Sequence, residues 1–339
     1  MRIAFYDTHR FERPGFERAN AKLGHDIRFL EARLTAETAA LAEGTRAVCA
    51  FVNDRLDASA LEVLARLGVR LIALRSAGFN HVDLEAASRL GLRVARVPAY
   101  SPNAVAEYAA CLMLALDRKV HRAFARVREL NFSLDGLVGF DLHGKTVGVI
   151  GTGRIGSVLA RILGAGFGCR VLAHDLVVSP ALADVHGLRY VDLDTLYCES
   201  DVISLHVPLN PGTRHLLDAG AFGRMKPGVM IINTGRGGLI DAKALIDALK
   251  TGRVGAAGLD VYEEEEKVFF RDLSEQVLQD DTLARLLTFP NVLITSHQAF
   301  LTREALDQIA ATTLKSVTDF ERGAALDHEV CVESHVARP

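Results

Sequence analysis

The sequence predicts an α/β protein built from two doubly wound parallel sheets, and three observations point there. Short apolar runs alternate with helical patterns along almost the whole chain, which is how parallel strands joined by crossover helices read. One of those strands runs straight into three spaced glycines and a new helix, over Lys145-Thr-Val-Gly-Val-Ile-Gly-Thr-Gly-Arg-Ile-Gly-Ser157. The chain has 339 residues, enough for two domains with their own cores at about 100–200 residues each.

In order, strands are expected at 3–6, 27–30, 48–52, 71–74 and 94–97, with helices such as 58–67 between them. The connections are short, so residues 1–99 read as one compact domain. Pro98-Ala-Tyr-Ser-Pro-Asn-Ala104 breaks the pattern and opens a helix expected over 102–130, with Ser101 as N-cap and Pro102 at the first helical position. Its first half carries Val105, Tyr108, Ala109, Leu112, Met113 and Leu116. That is more apolar surface than one small domain usually covers, which predicts a subunit interface.

Six further strands, at 147–150, 171–174, 202–206, 229–233, 256–259 and 292–295, alternate with helices around Val158, Leu196, Phe222, Leu245 and Leu283. Six strands make a full two-halved dinucleotide-binding fold of Rossmann type. The last helix, 302–322, is amphipathic, with Leu306, Ile309, Leu314, Val317 and Phe320 on its apolar positions. It is expected to return to the first domain. Residues 1–99 and 299–339 would then form a flavodoxin-like substrate domain, with residues 100–298 inserted into it.

The glycine loop assigns the inserted domain a ligand. Gly151 permits the tight turn, Gly153 lets the backbone approach phosphates, and Gly156 lets the new helix pack on the strand and aim its amides at a pyrophosphate. Arg154 and Ile155, the first residues of that helix, are expected beside the anion. The next strand ends at Asp175, about 20 residues on, where a carboxylate binds the adenosine ribose and repels a phosphate on it. The cofactor is therefore expected to be NAD rather than NADP.

Composition narrows the remaining classes. A net charge of -3 gives no general attraction to nucleic acid or anionic membranes. The five cysteines are scattered without a Cys-x-x-Cys pair, as expected for reduced thiols in the cytoplasm with no metal framework. The N-terminus turns polar too soon for a signal peptide, and the longest apolar run, 108–116, is far below the ~20 residues of a membrane span.

Three strand ends of the inserted domain carry reactive side chains: Asn233-Thr-Gly-Arg236-Gly-Gly238, Asp260-Val-Tyr-Glu-Glu-Glu265-Glu266 and Thr295-Ser-His297-Gln-Ala-Phe300. Ligands of open parallel sheets gather at the carboxyl ends of strands, so these segments can converge. Their residue types suit hydride exchange between NAD and a 2-oxo acid. Arg236 offers a planar fork for the carboxylate and ketone, where a charge-assisted hydrogen bond is worth about 1.5–3 kcal/mol. His297 is the proton donor, a role that contributes about 10²–10⁴-fold. A carboxylate of the run Glu263 to Glu266 would hold the imidazole charged, although periodicity does not select which one. In the first domain, Arg75-Ser-Ala-Gly-Phe-Asn80 is a strand-end turn whose free amides can hold a carboxylate.

These residues, with Val97-Pro-Ala-Tyr-Ser-Pro-Asn-Ala-Val-Ala-Glu107, His206-Val-Pro208 and Gly258-Leu-Asp-Val-Tyr-Glu263, resemble the D-2-hydroxyacid dehydrogenases over nearly the whole length. The likeness is strongest to their bacterial fermentative D-lactate branch. The resemblance implies a catalytic triad of Arg236, Glu265 and His297, the glutamate lying five places after the aspartate of Gly-Leu-Asp. It also implies that Val207, Pro208, Thr213, Thr234, Gly235 and Asp260 contact the cofactor. Ala77 and Gly78 would offer amides to the substrate carboxylate, with Tyr100 and Phe300 closing the pocket. The family is homodimeric through the helix after Tyr100, tetrameric in some members.

Many relatives place a proline after the catalytic glutamate. This chain instead has Glu266-Lys-Val-Phe-Phe-Arg-Asp-Leu-Ser274, as in the lactate branch. The expected activity is NAD-dependent interconversion of pyruvate and D-lactate. A bulkier 2-oxo acid or glyoxylate is the alternative substrate, and an NAD-sensing scaffold of the corepressor kind is the alternative of another class.

Overall fold

The structure, a computed structural model, describes residues 1–332. It divides into two compact units, one formed by Met1–Ser101 with the chain from Leu301 onward, the other by Pro102–Phe300.

The first unit contains β1 (Arg2–Phe5), α1 (Arg13–Asn20), β2 (Asp26–Phe29), β3 (Ala47–Ala50), α2 (Ala58–Arg66), β4 (Leu71–Leu74), α3 (Leu84–Arg89) and β5 (Arg93–Ala95). All neighbouring strands are parallel, in the order β2-β1-β3-β4-β5, the flavodoxin-like arrangement. Every residue of β3 and β4 is buried, as central strands covered on both faces require. Asp57 and Asp83 start α2 and α3 by accepting the amides of Ala60 and Ala86.

At the carboxyl end of β4, Arg75 is fully buried and paired with Glu12 through two bonds of 2.9 and 3.0 Å. Its guanidinium also donates to the Tyr6 and Asp7 carbonyls and lies over the Phe5 and Phe51 rings. A buried cation persists only when paired and hydrogen-bonded in this way.

The second unit runs α4 (Pro102–Asp117), α5 (Val120–Arg128), β6 (Thr146–Ile150), α6 (Arg154–Arg161), β7 (Arg170–His174), α7 (Pro180–His186), β8 (Arg189–Tyr190), α8 (Leu193–Glu199), β9 (Val202–Leu205), α9 (Ala219–Arg224), β10 (Val229–Asn233), α10 (Ala242–Lys250), β11 (Val254–Leu259), α11 (Asp281–Leu287) and β12 (Val292–Ile294). Its seven parallel strands lie in the order β12-β11-β10-β9-β6-β7-β8. The chain enters at β6, winds outward to β8, then returns to β9 and winds the other way. The switch point falls between β6 and β9, where such sheets bind ligands. Alternate residues supply two cores. Ile150, Ile203, Leu205 and Ile231 pack with Phe222 and Leu245 on one face. Val147, Val149 and Ile232 pack with Leu112, Met113 and Leu159 on the other. The two-residue β8 and seven-residue α7 lack the length to show a period and were not expected.

The helix expected over 102–130 is two helices. It ends at Asp117 because Lys119 adopts a left-handed conformation at φ 51° and its ammonium binds the Val138 carbonyl. The apolar face of α4, with Ala109, Leu112, Met113 and Leu116, is buried in its own unit's core. The exposed apolar surface begins beyond the break, with Phe124 64 %, Phe132 68 % and Leu134 80 % exposed.

The last helix, α12 (Arg303–Glu321), is capped by Thr302, whose hydroxyl accepts the Ala305 amide. It packs on α1 and β4 of the first unit.

Candidate active site

The glycine loop follows β6, and each of its three glycines meets a different demand. A side chain on Gly156 would place Cβ 1.9 Å from the Gly151 carbonyl oxygen, so only hydrogen allows α6 to start there. Gly151 has φ 93°, and a Cβ on it would lie 2.7 Å from the His206 backbone and 2.9 Å from Val207 Cγ1. That closeness brings the ends of β6 and β9 together at the switch point. Gly153 has open space around it, while Arg154 is exposed at the first turn of α6. Ile155 is half-buried behind it. A cradle of backbone amides with one open side is what a pyrophosphate needs.

Asp175 follows β7. Its Oδ2 accepts the Thr152 amide at 2.6 Å and the Thr152 hydroxyl at 3.1 Å, and its Oδ1 accepts the Val177 amide at 3.1 Å. Burial alone would raise its pKa, but these hydrogen bonds outweigh burial and lower it. The carboxylate is therefore charged throughout the neutral range and retains lone pairs for ribose hydroxyls. It borders an open pocket of about 680 Å³ that Tyr190, Val191 and Thr195 also line.

The β10, β11 and β12 ends carry the proposed acid–base residues, all within the second unit. Buried Asn233 shapes the Arg236 loop by accepting the Gly235 amide and donating to the Arg236 carbonyl. Arg236 is half-buried, with Nη1 on the Gly235 carbonyl at 2.7 Å. A Cβ on Gly237 would lie 2.0 Å from the Tyr262 carbonyl carbon, so this loop rests directly on the backbone leading to Glu265. Tyr262 donates its amide to Glu265 Oε2 at 3.0 Å. The other oxygen, Oε1, meets His297 Nδ1 at 2.7 Å. Sequence periodicity could not choose among four glutamates; in the structure this one reaches the imidazole.

His297 itself has φ 54°, an uncommon conformation for a residue other than glycine. It is held by Asp260. The Asp260 carbonyl accepts the His297 amide at 2.7 Å, and the carboxylate accepts Thr295 Oγ1 at 2.6 Å and the amides of Gln298 and Ala299 at 2.9 and 2.8 Å. Asp260 is fully buried, which raises its pKa, and its oxygens face the His297 loop. Asp260, expected among the cofactor contacts, thus also braces the loop that carries His297. Phe270, from the segment without the proline, lies 6.1 Å from the His297 ring. Neither role is legible in sequence, because each depends on contacts between segments over 25 residues apart.

Other expected residues fall as follows. Val207 and Pro208 follow β9 beside Gly151, and the Thr234 hydroxyl is buried without a partner, the kind of orphan a cofactor amide would satisfy. Thr213 spends its hydroxyl on the Pro208 carbonyl at 2.6 Å and the Asn210 amide at 2.9 Å, closing its own turn. His206 is hydrogen-bonded to Ser204, and burial lowers its pKa to about 4, which keeps it neutral and unsuited to donate a proton. Ala77, Gly78 and Tyr100 belong to the first unit. There the Ser76 hydroxyl donates to the Gly78 carbonyl and Arg96 to the Ala77 carbonyl. The loop is thus held by its carbonyls. Phe300 is buried, at the end of the second unit. Among the described residues, no group of three or more His, Cys, Asp or Glu is placed to hold a metal ion.

A glycine loop at the switch point, an acid at the end of the next strand, and an imidazole–carboxylate pair with an arginine on the neighbouring loop are the parts of a nicotinamide-linked dehydrogenase of small acids. Comparison with known proteins gives the family. The model described as "D-isomer specific 2-hydroxyacid dehydrogenase, NAD binding domain" matches residues 110–299. The "2-hydroxyacid dehydrogenase homolog 1" of Schizosaccharomyces pombe is 53 % identical over 94 % of this chain and 96 % of its own. The D-lactate dehydrogenase of Escherichia coli is 52 % identical over 97 % of this chain and 100 % of its own. The solved pyruvate reductase of Chlamydomonas reinhardtii superposes with a TM-score of 0.92 at 46 % identity, over 97 % of this chain and 98 % of its own. The chain belongs to the D-isomer-specific 2-hydroxyacid dehydrogenase family, oxidoreductases that use NAD.

Proposed function

We propose that this protein is an NAD-dependent D-lactate dehydrogenase, reducing pyruvate to D-lactate and running in reverse. The observation that carries the reading is the 2.7 Å pair between His297 Nδ1 and Glu265 Oε1, which leaves Nε2 for a substrate oxygen. The bound cofactor supplies the hydride that C2 of the 2-oxo acid accepts. Arg236 anchors the substrate carboxylate and polarises the ketone. His297 delivers its Nε2 proton to the ketone oxygen, and the Glu265 charge stabilises the imidazolium before transfer. In this reading residues 1–99 with 299–339 form the substrate domain and residues 100–298 the cofactor domain.

Pyruvate as substrate is supported by the names of the relatives at 52 % and 46 % identity and by the segment after Glu266, which lacks the proline of other branches. A panel of 2-oxo acids assayed with NADH and NADPH tests it. Pyruvate with NADH is expected to give the highest kcat/KM, and a preference for a branched 2-oxo acid or glyoxylate would replace the lactate assignment.

The protein acts as a homodimer in this reading, through the apolar surface on and after α5. Val120, Phe124, Val127, Leu130, Phe132 and Leu134 are all exposed there, apolar side chains that association would cover. Phe124→Asp with Phe132→Asp should yield a folded monomer by sedimentation velocity; a double variant with an unchanged sedimentation coefficient moves the interface elsewhere. A cytoplasmic location accords with five scattered cysteines, none of them in a disulfide among the described residues. No helix among the described residues is long and apolar enough to cross a membrane.

A further inference from the structure

Glu263 belongs to the acidic run but takes no part in the proton transfer proposed above. Its carboxylate is one-fifth exposed and meets a guanidinium and an imidazole of a different loop. Arg214 Nη2 donates to Oε1 at 2.5 Å, and His215 Nε2 lies 3.0 and 3.2 Å from the two oxygens. Because a carboxylate only accepts, the imidazole must present a hydrogen at Nε2. His215 has φ 52°, a left-handed conformation that a non-glycine residue keeps only where its surroundings hold it.

The loop that carries Arg214 and His215 begins at Val207 and Pro208, two of the expected cofactor contacts. It is closed on itself by Thr213 and Asn210. Beyond the turn it is stitched to the Arg236 segment. The His215 amide donates to the Gly238 carbonyl at 2.8 Å, the Leu217 amide donates to the Leu239 carbonyl at 3.0 Å, and Leu217 bridges Ile240. The Arg236 segment in turn leaves no room for a Cβ between Gly237 and Tyr262. Glu263 follows Tyr262, and Tyr262 holds Glu265. Three strand-end loops thus touch in a ring, and Glu263 closes it by charge.

We propose that Glu263 is a positioning residue: by pairing with Arg214 and His215 it fastens the cofactor-side loop after β9 to the segment that presents Glu265 to His297. The role rests on the functional reading above. Cofactor seated against Val207 and Pro208 then meets a loop already in register with the acid–base pair. Without the latch the loop keeps its backbone bonds to 238–241 but loses its charged tie to the segment that carries Glu265, and both cofactor affinity and turnover suffer.

The test is Glu263→Gln, which keeps shape and removes charge. Titration by NADH fluorescence, in a chain that contains no tryptophan, should show the dissociation constant raised about tenfold, the effect of losing one charge-assisted contact. The kcat with pyruvate should fall by a similar factor, roughly tenfold. A simple packing role would lower the melting temperature and leave both values at 25 °C alone. NADH affinity within twofold of the parent overturns the proposal, whatever the melting temperature. Should Glu263→Gln fail to fold, Arg214→Met carries the same test from a side chain 57 % exposed. A parent that reduces no 2-oxo acid overturns the lactate reading alone, since the NADH titration still decides the role of Glu263.

Discussion

Replacing His297 with Gln is expected to cut turnover by about 10²–10⁴-fold while NADH binds nearly as before. The reasoning is local. Glutamine has the bulk to fill the site and an amide to meet Glu265 Oε1, but it carries no transferable proton. The brace on this loop runs through the His297 backbone amide and through Thr295, Gln298 and Ala299, all bound to Asp260, and none of these bonds uses the imidazole. The loop should therefore hold its shape. Steady-state kinetics with pyruvate and a direct NADH titration check the two halves separately, and turnover within tenfold of the parent would remove His297 from the chemistry.

Gly237→Ala is expected to be worse than a single methyl group suggests. The added Cβ would fall 2.0 Å from the Tyr262 carbonyl carbon and 2.3 Å from the Glu263 amide nitrogen, both backbone atoms that no rotamer change can move aside. One of the two loops must shift. Overpacking of this kind costs about 1–3 kcal/mol of stability. A displacement near 1 Å at the chemistry costs about 10²-fold in rate. Because Arg236 lies on one side of the contact and Glu265 on the other, the loss should appear in kcat/KM well below the melting temperature. An alanine variant with parental kinetics would show that these loops need no such closeness.

How far the sequence carries a reader depends on whether a residue acts through its own type or through a distant partner. Gly151, Gly153, Gly156 and Asp175 are legible because steric demand and charge are properties of the residue and its spacing, and strand periods place them on the right element. The five strands of the first unit emerge for the same reason. Helix 102–130 misleads because Arg118 and Lys119, where it breaks, are ordinary helix formers; the left-handed turn comes from the Val138 carbonyl and from Asp117, whose carboxylate accepts the Phe140 amide. The four consecutive glutamates look alike by residue type; the family resemblance points to Glu265, and the fold, through the Tyr262 amide and His297, gives the physical reason. Asp260 shows the same limit. That this buried acid also braces the His297 loop shows only once its three hydrogen-bond donors are known.

The return of α12 to α1 and β4 has a consequence for how the chain matures. A ribosome delivers the first unit's strands early, yet the helix that covers α1 and β4 follows only after some two hundred further residues have been made. Domains generally fold as units during synthesis. The Pro102–Phe300 unit has its whole sequence available first, while the earlier-made sheet waits with an uncovered apolar face. That interval, rather than any weakness of the finished protein, is where chaperones would find their substrate.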